Sequence, residues 1–325
     1  MKTKHRSMAI GLILGALYGL AVRLLIETDI VRQFETMSIA FLFFVPAVIG
    51  GITVYFGTES QKRSRLFRFC MPWVTVLAFL IMTIITYLEA VVCVVMLLPV
   101  FLISASIGGI FMGEILDRLR NKQQTLQVFL ILPLLIMPIE SQFQTPTIIN
   151  TVVTEIVINA DKETVWDNIK SVDTIEEDEL KWSFAHFIGI PKPIRSTLSE
   201  DRVGGMRHID WEKGIKFREK ITDWNLYDSF SYDILVDHIP PEAIDKHVEV
   251  GGKYFDVLNG GYKLTSIDKN TTKLTLSCTY RVTTNFNFYS KLWADFIMDD
   301  FQVVILNVVK ERSEESFPVS RTASN

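Results

Sequence analysis

The sequence predicts an all-α bundle of about five transmembrane helices, followed by an α+β domain in which a curved antiparallel sheet surrounds one long C-terminal helix. The 325 residues are 49% hydrophobic and their mean hydropathy is +0.26, whereas soluble chains of this length usually have a negative mean. Long apolar runs occur only in the first half, and strand-like alternation only in the second. We therefore expect a membrane domain over 1–145, an α+β domain over 146–312 and a disordered tail over 313–325.

The membrane domain is predicted from the length of its apolar runs. A transmembrane helix needs about 20 mostly apolar residues. The longest run, 71–113, exceeds one helix and is interrupted only by Glu89, so we interpret it as a hairpin with Glu89 at the turn. The predicted spans are residues 8–26, 37–56, 72–88, 90–112 and 126–139.

The loops between these spans differ in charge from one side to the other. Ten Lys or Arg residues lie in the N-terminal tail and in the second and fourth loops, whereas only Arg32 lies on the opposite side. The positive-inside rule then predicts a cytoplasmic N-terminus and, after five spans, an extracytoplasmic second domain, in a plasma (inner) membrane. The fifth span is short and contains Pro133 and Pro138. If it does not cross, the second domain faces the cytoplasm.

Three features inside the membrane domain suggest how its helices pack. Gly11, Gly15 and Gly19 form a strip of small residues, which predicts close approach to another helix of the chain or to a second copy in a homo-oligomer. Arg23 is expected to extend to the membrane interface. Glu89 is expected in a solvated turn, with a buried ion or proton site as the alternative. Because no cluster of charged or broken helices marks a transport path, we interpret this domain as an anchor.

Composition and motifs exclude several functions for the second domain. Residues 146–325 carry 21 Lys and Arg against 29 Asp and Glu, so we predict no nucleic-acid partner, which would require a basic face. The sequence has no phosphate-binding GxxxxGK[ST] or GxGxxG motif, no GxSxG motif and no metal-binding HxH or HExxH spacing. We therefore predict neither a metal site nor a cofactor.

The order of elements in the second domain is strand, helix, several strands and a long helix. A Val-, Ile- and Thr-rich run predicts a strand over 149–160, and Asp161 predicts the N-cap of a helix over 161–170. Strict alternation then predicts strands with one wet and one buried face, which include 215–223, 229–236 and 273–282.

Turn signals separate these strands, and a long amphipathic helix follows them. The helix is predicted over 289–312 from its apolar stripe. Together the elements predict a helix-grip fold with a cavity under the helix. The predicted turns are Gly204-Gly205, Lys213-Gly214, Asn259-Gly260-Gly261 and Asp268-Lys269-Asn270.

Several segments of this half resemble the START-like superfamily, also called SRPBCC. Its opening strand and helix are similar to 156–166, Ile-Val-Ile-Asn-Ala-Asp-Lys-Glu-Thr-Val-Trp. The resemblance covers about 148–312, roughly half of the chain, and excludes the membrane domain. Pieces similar to the polyketide cyclase/dehydrase and lipid-transport branch are Gly204-Gly-Met-Arg207, Phe217-Arg-Glu-Lys-Ile-Thr-Asp-Trp224 and Gly261-Tyr-Lys-Leu264.

The resemblance implies a domain that binds a lipid or other hydrophobic small molecule between the sheet and the C-terminal helix. Asp161 departs from the proline of many members, which affects the start of a helix rather than function. A minority of members are enzymes, so a cyclase/dehydrase-type enzyme is one alternative to a membrane-anchored ligand-binding domain. Another alternative is an interaction module, with its cavity filled by its own side chains, on an oligomerising anchor.

The candidate catalytic residues are Glu219 and His208. Glu219 lies in the inward phase of its strand, where a carboxylate is costly unless it is paired or protonated. Arg207 pairs with it if that side chain also faces inward, and otherwise Glu219 could act as a general acid or base. His208 could form an oriented base with Asp210, but only one of Arg207 and His208 can face inward, and we favour Arg207. The predicted cavity lining is Arg207, Phe217, Glu219, Phe230, Tyr232, Tyr262, Trp293 and Phe301.

Overall fold

The computed structural model divides the chain into two compact units. One contains Met1–Pro146 with Thr284–Phe286, and the other contains Thr147–Thr283 with Asn287–Asn325. The residues that the structure describes are 2–28, 37–118, 122–240, 242–245 and 247–317.

The first unit is helical over most of each predicted span. A π-helical segment, Ala40–Phe44, leads directly into α2. The α-helices are α1 (Lys2–Glu27), α2 (Val45–Tyr55), α3 (Glu59–Lys62), α4 (Arg65–Ile85), α5 (Val91–Arg118) and α6 (Lys122–Glu140).

The lengths of these helices distinguish three candidate spans from the five predicted. Among the described residues, three helices are long and apolar enough to cross a membrane. The two other apolar helices are shorter, and α6 contains Pro133 and Pro138. The three long helices cover His5–Glu27, Arg65–Ile85 and Val91–Arg118, and the two shorter ones cover Ala40–Tyr55 and Gln124–Glu140.

The turn between α4 and α5 contains Glu89, as predicted, but this carboxylate is not solvated. Arg23 is 1% exposed and donates from Nε to Glu89 over 2.6 Å and from Nη1 to Glu27 over 2.6 Å. Its Nη2 donates to the carbonyl of Leu88 over 2.9 Å. The expectation of a solvated Glu89 is therefore wrong, because its side chain is largely buried and its charge is neutralised by Arg23. The position of Arg23 relative to a membrane interface stays a prediction.

The glycine strip of α1 packs against helices of the same chain. A Cβ atom added to Gly15 would lie 2.7 Å from the Thr75 side chain of α4. One added to Gly19 would lie 2.7 Å from Ile49 of α2 and 2.8 Å from Phe79 of α4. This face is covered within the chain, so homo-oligomerisation, which stays a prediction, would use another surface.

The second unit is a seven-stranded antiparallel sheet with a long C-terminal helix, as in the predicted helix-grip fold. The strand order is β1-β7-β6-β5-β4-β3-β2, and α9 packs against β1 and β7. The elements are β1 (Thr147–Ile158), α7 (Lys162–Lys170), α8 (Phe184–Phe187), β2 (Pro193–Leu198), β3 (Met206–Trp211), β4 (Lys216–Asn225), β5 (Ser229–His238), β6 (Phe255–Asp268), β7 (Thr271–Thr283) and α9 (Asn287–Ser316).

Local sequence explains most of these elements. Every second side chain of β7 is buried from Thr272 to Val282, which confirms the predicted alternation. The Asp161 carboxylate accepts a hydrogen bond from the Thr164 N–H over 2.9 Å, which confirms the predicted cap of α7. The main hydrophobic core lies between the inner sheet face, α7 and α9, and Trp166 of α7 is fully buried in it.

The predicted turn Asn259-Gly260-Gly261 is wrong, since these residues lie inside β6. Gly260 is paired with Tyr232 of β5, and a Cβ atom at Gly260 would lie 2.7 Å from the Tyr232 hydroxyl. Glycine is needed here because the neighbouring phenol covers the strand, and not because the chain reverses.

The C-terminal helix is longer than predicted. It continues to Ser316, and Ser313 is fully buried, so the expected start of a disordered tail at residue 313 is wrong. Residues 318–325 of the predicted tail lie outside the described residues.

Candidate ligand-binding site

Arg207 and Glu219 form a buried ion pair across β3 and β4, as the alternation predicted. They lie directly opposite each other and are 3% and 6% exposed. Arg207 Nη1 donates to the Glu219 carboxylate. Its Nε donates to the carbonyl of Lys170 over 3.1 Å, and Nη2 donates to the carbonyl of Ile169 over 3.1 Å and to Ser196 Oγ over 2.9 Å.

Three aromatic rings enclose this guanidinium. The Arg207 Cζ atom lies 5.5 Å from the ring centroid of Phe230, 5.8 Å from that of Tyr232 and 5.7 Å from that of Tyr262, and all three rings are buried. The rings also contact one another. We call Arg207, Glu219 and these rings the arginine cage. Five of the eight predicted cavity residues therefore meet, and their side chains fill the space around Arg207.

Burial and charge act in opposite directions on the groups of the cage. Burial raises the pKa of the Glu219 carboxyl from its ordinary value, and the Arg207 guanidinium opposes that increase. Burial by itself lowers the pKa of Arg207, but the Glu219 carboxylate and the two tyrosines outweigh it and raise the pKa, so the guanidinium stays charged. Burial also raises the pKa of Tyr232 and Tyr262. This arrangement suits a structural ion pair better than a group that exchanges protons.

His208 faces away from the arginine cage. It is exposed on the outer face of the sheet, because it alternates with the inward Arg207 along β3. The Asp210 carboxylate accepts a hydrogen bond from Arg195 Nε over 2.7 Å and lies 3.9 Å from Lys216 Nζ. The proposed partner of His208 is thus engaged by cations of the neighbouring strands.

Two further predicted cavity residues belong to a separate aromatic group. The ring of Trp211 lies 5.4 Å from that of Phe217 and 4.7 Å from that of Phe301, measured between centroids. The His186 ring meets Phe301 edge-on at 6.1 Å. Its Nδ1 lies 3.0 Å from the Ile190 carbonyl oxygen, and its buried Nε2 has no hydrogen-bond partner among the described residues. We call Trp211, Phe217, Phe301 and His186, all half-buried, the aromatic mouth.

Trp211 was not among the predicted lining residues. It shares the inward phase of β3 with Arg207, so alternation alone could have identified it. Trp293, which was predicted, instead lies 6.4 Å from Phe184 and 6.2 Å from Phe296. It belongs to a third aromatic group, on α8 and α9.

α8 is attached to α9 by one carboxylate. Asp300 accepts hydrogen bonds from the Ser183 hydroxyl, from the Phe184 N–H over 3.3 Å and from the Ala185 N–H over 2.9 Å. It thereby satisfies N–H groups that the first turn of α8 leaves free, and it positions His186 at the aromatic mouth.

An open groove of about 310 Å³ adjoins the aromatic mouth. Trp211 is common to both, since it lines the groove and its ring packs on Phe217 and Phe301. Of the groove residues, only Asp210 is of a type that commonly binds a metal ion. This Trp211 groove is lined by Thr174, Ile194, Arg195, Asp210, Trp211, Lys213, Gly214 and Lys216.

Comparison with known proteins gives matches among solved structures. No family model matches the chain, and no curated protein matches it. The truncated norcoclaurine synthase from Thalictrum flavum is 12% identical, with 53% of this chain and 98% of that chain covered and a TM-score of 0.34. The Zhui aromatase/cyclase from Streptomyces sp. R1128 is 16% identical, with 52% and 95% covered and a TM-score of 0.33. Protein NE0264 from Nitrosomonas europaea is 14% identical, with 51% and 95% covered and a TM-score of 0.32.

Proposed function

We propose that the second unit is a START-like domain that binds a lipid or other hydrophobic small molecule at the aromatic mouth, and that the first unit anchors it in a membrane. The observation that carries this proposal is the groove of about 310 Å³ that opens beside half-buried aromatic side chains. Small-molecule sites are typically concave and mainly apolar, with a few polar groups that orient the ligand.

The proposed site is at the aromatic mouth rather than in the arginine cage. The side chains of the arginine cage occupy the inner space, and each is buried against the others. A ligand at that point would have to displace an ion pair and three packed rings. The aromatic mouth requires no such rearrangement, because its rings are already partly exposed.

Membrane anchoring is supported by the three long apolar helices of the first unit. A domain tethered to the bilayer meets a membrane-dissolved ligand at a high effective concentration. We propose a plasma (inner) membrane location with the N-terminus in the cytoplasm and the second unit outside, on the basis of the charged loops.

Native mass spectrometry of the full chain, released from nanodiscs made with host lipid, tests the proposal. We expect an adduct in the wild type that is lost in Trp211→Ala and kept in Trp182→Ala, since Trp182 is exposed and does not line the groove. Lipids held by the membrane helices are common to all three proteins, so the Trp211-dependent adduct is the signal. An adduct that persists in Trp211→Ala, or its absence in a folded wild type, would contradict binding at this site.

A second candidate function is an interaction module that holds no ligand. The filled arginine cage favours it, because that space is the predicted cavity. It predicts the bare polypeptide in the same experiment, with the groove residues available to a protein partner. The enzyme alternative has less support, since the Glu219 carboxylate forms an ion pair with Arg207.

A further inference from the structure

The Trp211 groove has more positive charge than an uncharged ligand requires. Three cationic side chains, Arg195, Lys213 and Lys216, line it together with one carboxylate, that of Asp210. Asp210 is shared between Arg195, at 2.7 Å, and Lys216, at 3.9 Å. The lining therefore carries a net positive charge, although the chain as a whole has a net charge of −4.

The backbone at Lys213 is held in an uncommon conformation. Lys213 has φ 56° and ψ 22°, in the left-handed region that residues with a Cβ atom rarely adopt. Its Nζ donates to the carbonyl of Ala243 over 3.1 Å, which is a neutral acceptor. The strained turn thus places a cation in the lining of the groove, to which Lys216 also belongs.

The groove therefore has both apolar and cationic lining residues. Trp211 lines it and packs on Phe217 and Phe301, and Lys213 and Lys216 line it as well. We propose that the ligand is an anionic amphiphile, with its carboxylate or phosphate at Lys213 and Lys216 and its apolar part at the aromatic mouth. This inference rests on the proposed function, and it specifies the ligand class. Lysine ammonium groups bind such anions as point charges that need no fixed bidentate geometry.

Two photoactivatable probes that differ only in charge test this inference. A diazirine-bearing palmitic acid and the matching diazirine-bearing hexadecanol are added to the full chain in nanodiscs. Labelled peptides are then identified by mass spectrometry after digestion at acidic residues. We expect the acid to label peptides of the groove and the aromatic mouth more strongly than the alcohol. In the double variant Lys213→Gln, Lys216→Gln, labelling by the acid should fall to the level of labelling by the alcohol. Each lysine should account for a decrease of about twofold to fivefold.

Lys220→Gln is the matched control, because Lys220 is an exposed lysine of the same strand and does not line the groove. Its labelling should equal that of the wild type. Unlabelled palmitate and dodecyl phosphate are then compared as competitors of the photoactivatable acid. The site prefers the anion that reduces labelling at the lower concentration.

The other outcomes separate this inference from the proposed function. Equal labelling by both probes, or acid labelling that survives in the double lysine variant, would overturn the anionic ligand while leaving hydrophobic binding in place. Labelling of the membrane helices alone by both probes would contradict the proposed function itself.

Discussion

Arg207 is a cation that the fold removes from water and then surrounds with partners. Its guanidinium donates to Glu219, Ser196 and two backbone carbonyls, and three aromatic rings face it. An unpaired buried cation would cost several kcal/mol, so these contacts mainly offset the cost of desolvation. At the residue scale, the cage therefore depends on each charge keeping its partner.

Glu219→Gln should destabilise the protein by about 3–5 kcal/mol, because it leaves the Arg207 charge buried without its counterion. Thermal unfolding of the full chain measures this, with Lys220→Gln on the same strand as the exposed control. The double variant Arg207→Met, Glu219→Leu should recover part of the loss. Normal unfolding of Glu219→Gln would argue against the structural ion pair and would favour the acid–base alternative.

The Cys278 thiol should be unreactive in the folded protein. Burial raises its pKa to about 12, so at about pH 8 roughly one thiol in ten thousand is the reactive thiolate. Iodoacetamide followed by peptide mapping should modify Cys278 only after denaturation. Ser277→Cys places a thiol one residue away on the outer face of the same strand and should react in the folded state. Rapid modification of native Cys278 would show that solvent reaches the interior of the sheet.

At the scale of elements, α8 is too short to be stable alone and depends on α9. A four-residue helix satisfies few of its own hydrogen bonds, and Asp300 supplies acceptors for the donors that remain at its start. Because His186 lies on α8, the shape of the aromatic mouth depends on this one carboxylate of another helix.

Asp300→Ala should loosen α8 without unfolding the sheet. We expect a loss of about 1–2 kcal/mol, typical of a lost helix cap, and faster hydrogen exchange of the Phe184 and Ala185 amides. Hydrogen–deuterium exchange with mass spectrometry measures the exchange rates of these amides. Asp299→Ala is the neighbouring control, since Asp299 accepts instead from Thr154 of β1. Unchanged exchange at Phe184 and Ala185 would mean that packing alone holds α8.

At the scale of the whole molecule, the two units of the chain bury their side chains in different patterns. The first unit satisfies its backbone within helices, the main solution available in hydrocarbon, and keeps apolar side chains on its surface. The second unit alternates wet and buried side chains along its strands. The proposed membrane topology depends on whether the short, proline-containing α6 crosses.

Reporter fusions test the proposed topology. Alkaline phosphatase fused after the last residue should be active in a bacterial host, and green fluorescent protein at the same position should stay dark, because the positive-inside rule places this end outside. The same reporters fused after Arg118, where four predicted spans precede the junction, should give the opposite signals. A fluorescent fusion at the C-terminus would place the second unit in the cytoplasm and show that α6 does not cross.

Much of the candidate site could be predicted from alternation alone. The inward phases of β3 and β4 identified Arg207 and Glu219 as partners and placed His208 outside, because side chains alternate with a period of two. Alternation did not show that Trp293 and Phe301 would join different groups, since both lie on one helix and their partners come from distant segments. Nor did it show that Gly260 lies under a tyrosine rather than in a turn.

Local periodicity and the cost of burying charge were enough to predict the helical first unit, the antiparallel sheet with its C-terminal helix and the buried ion pair. The folded chain was needed to show that three aromatic rings fill the space around Arg207, while Trp211, Phe217 and Phe301 stay partly exposed beside a cationic groove. Whether side chains close a cavity depends on packing among residues far apart in the chain, which a local pattern does not specify.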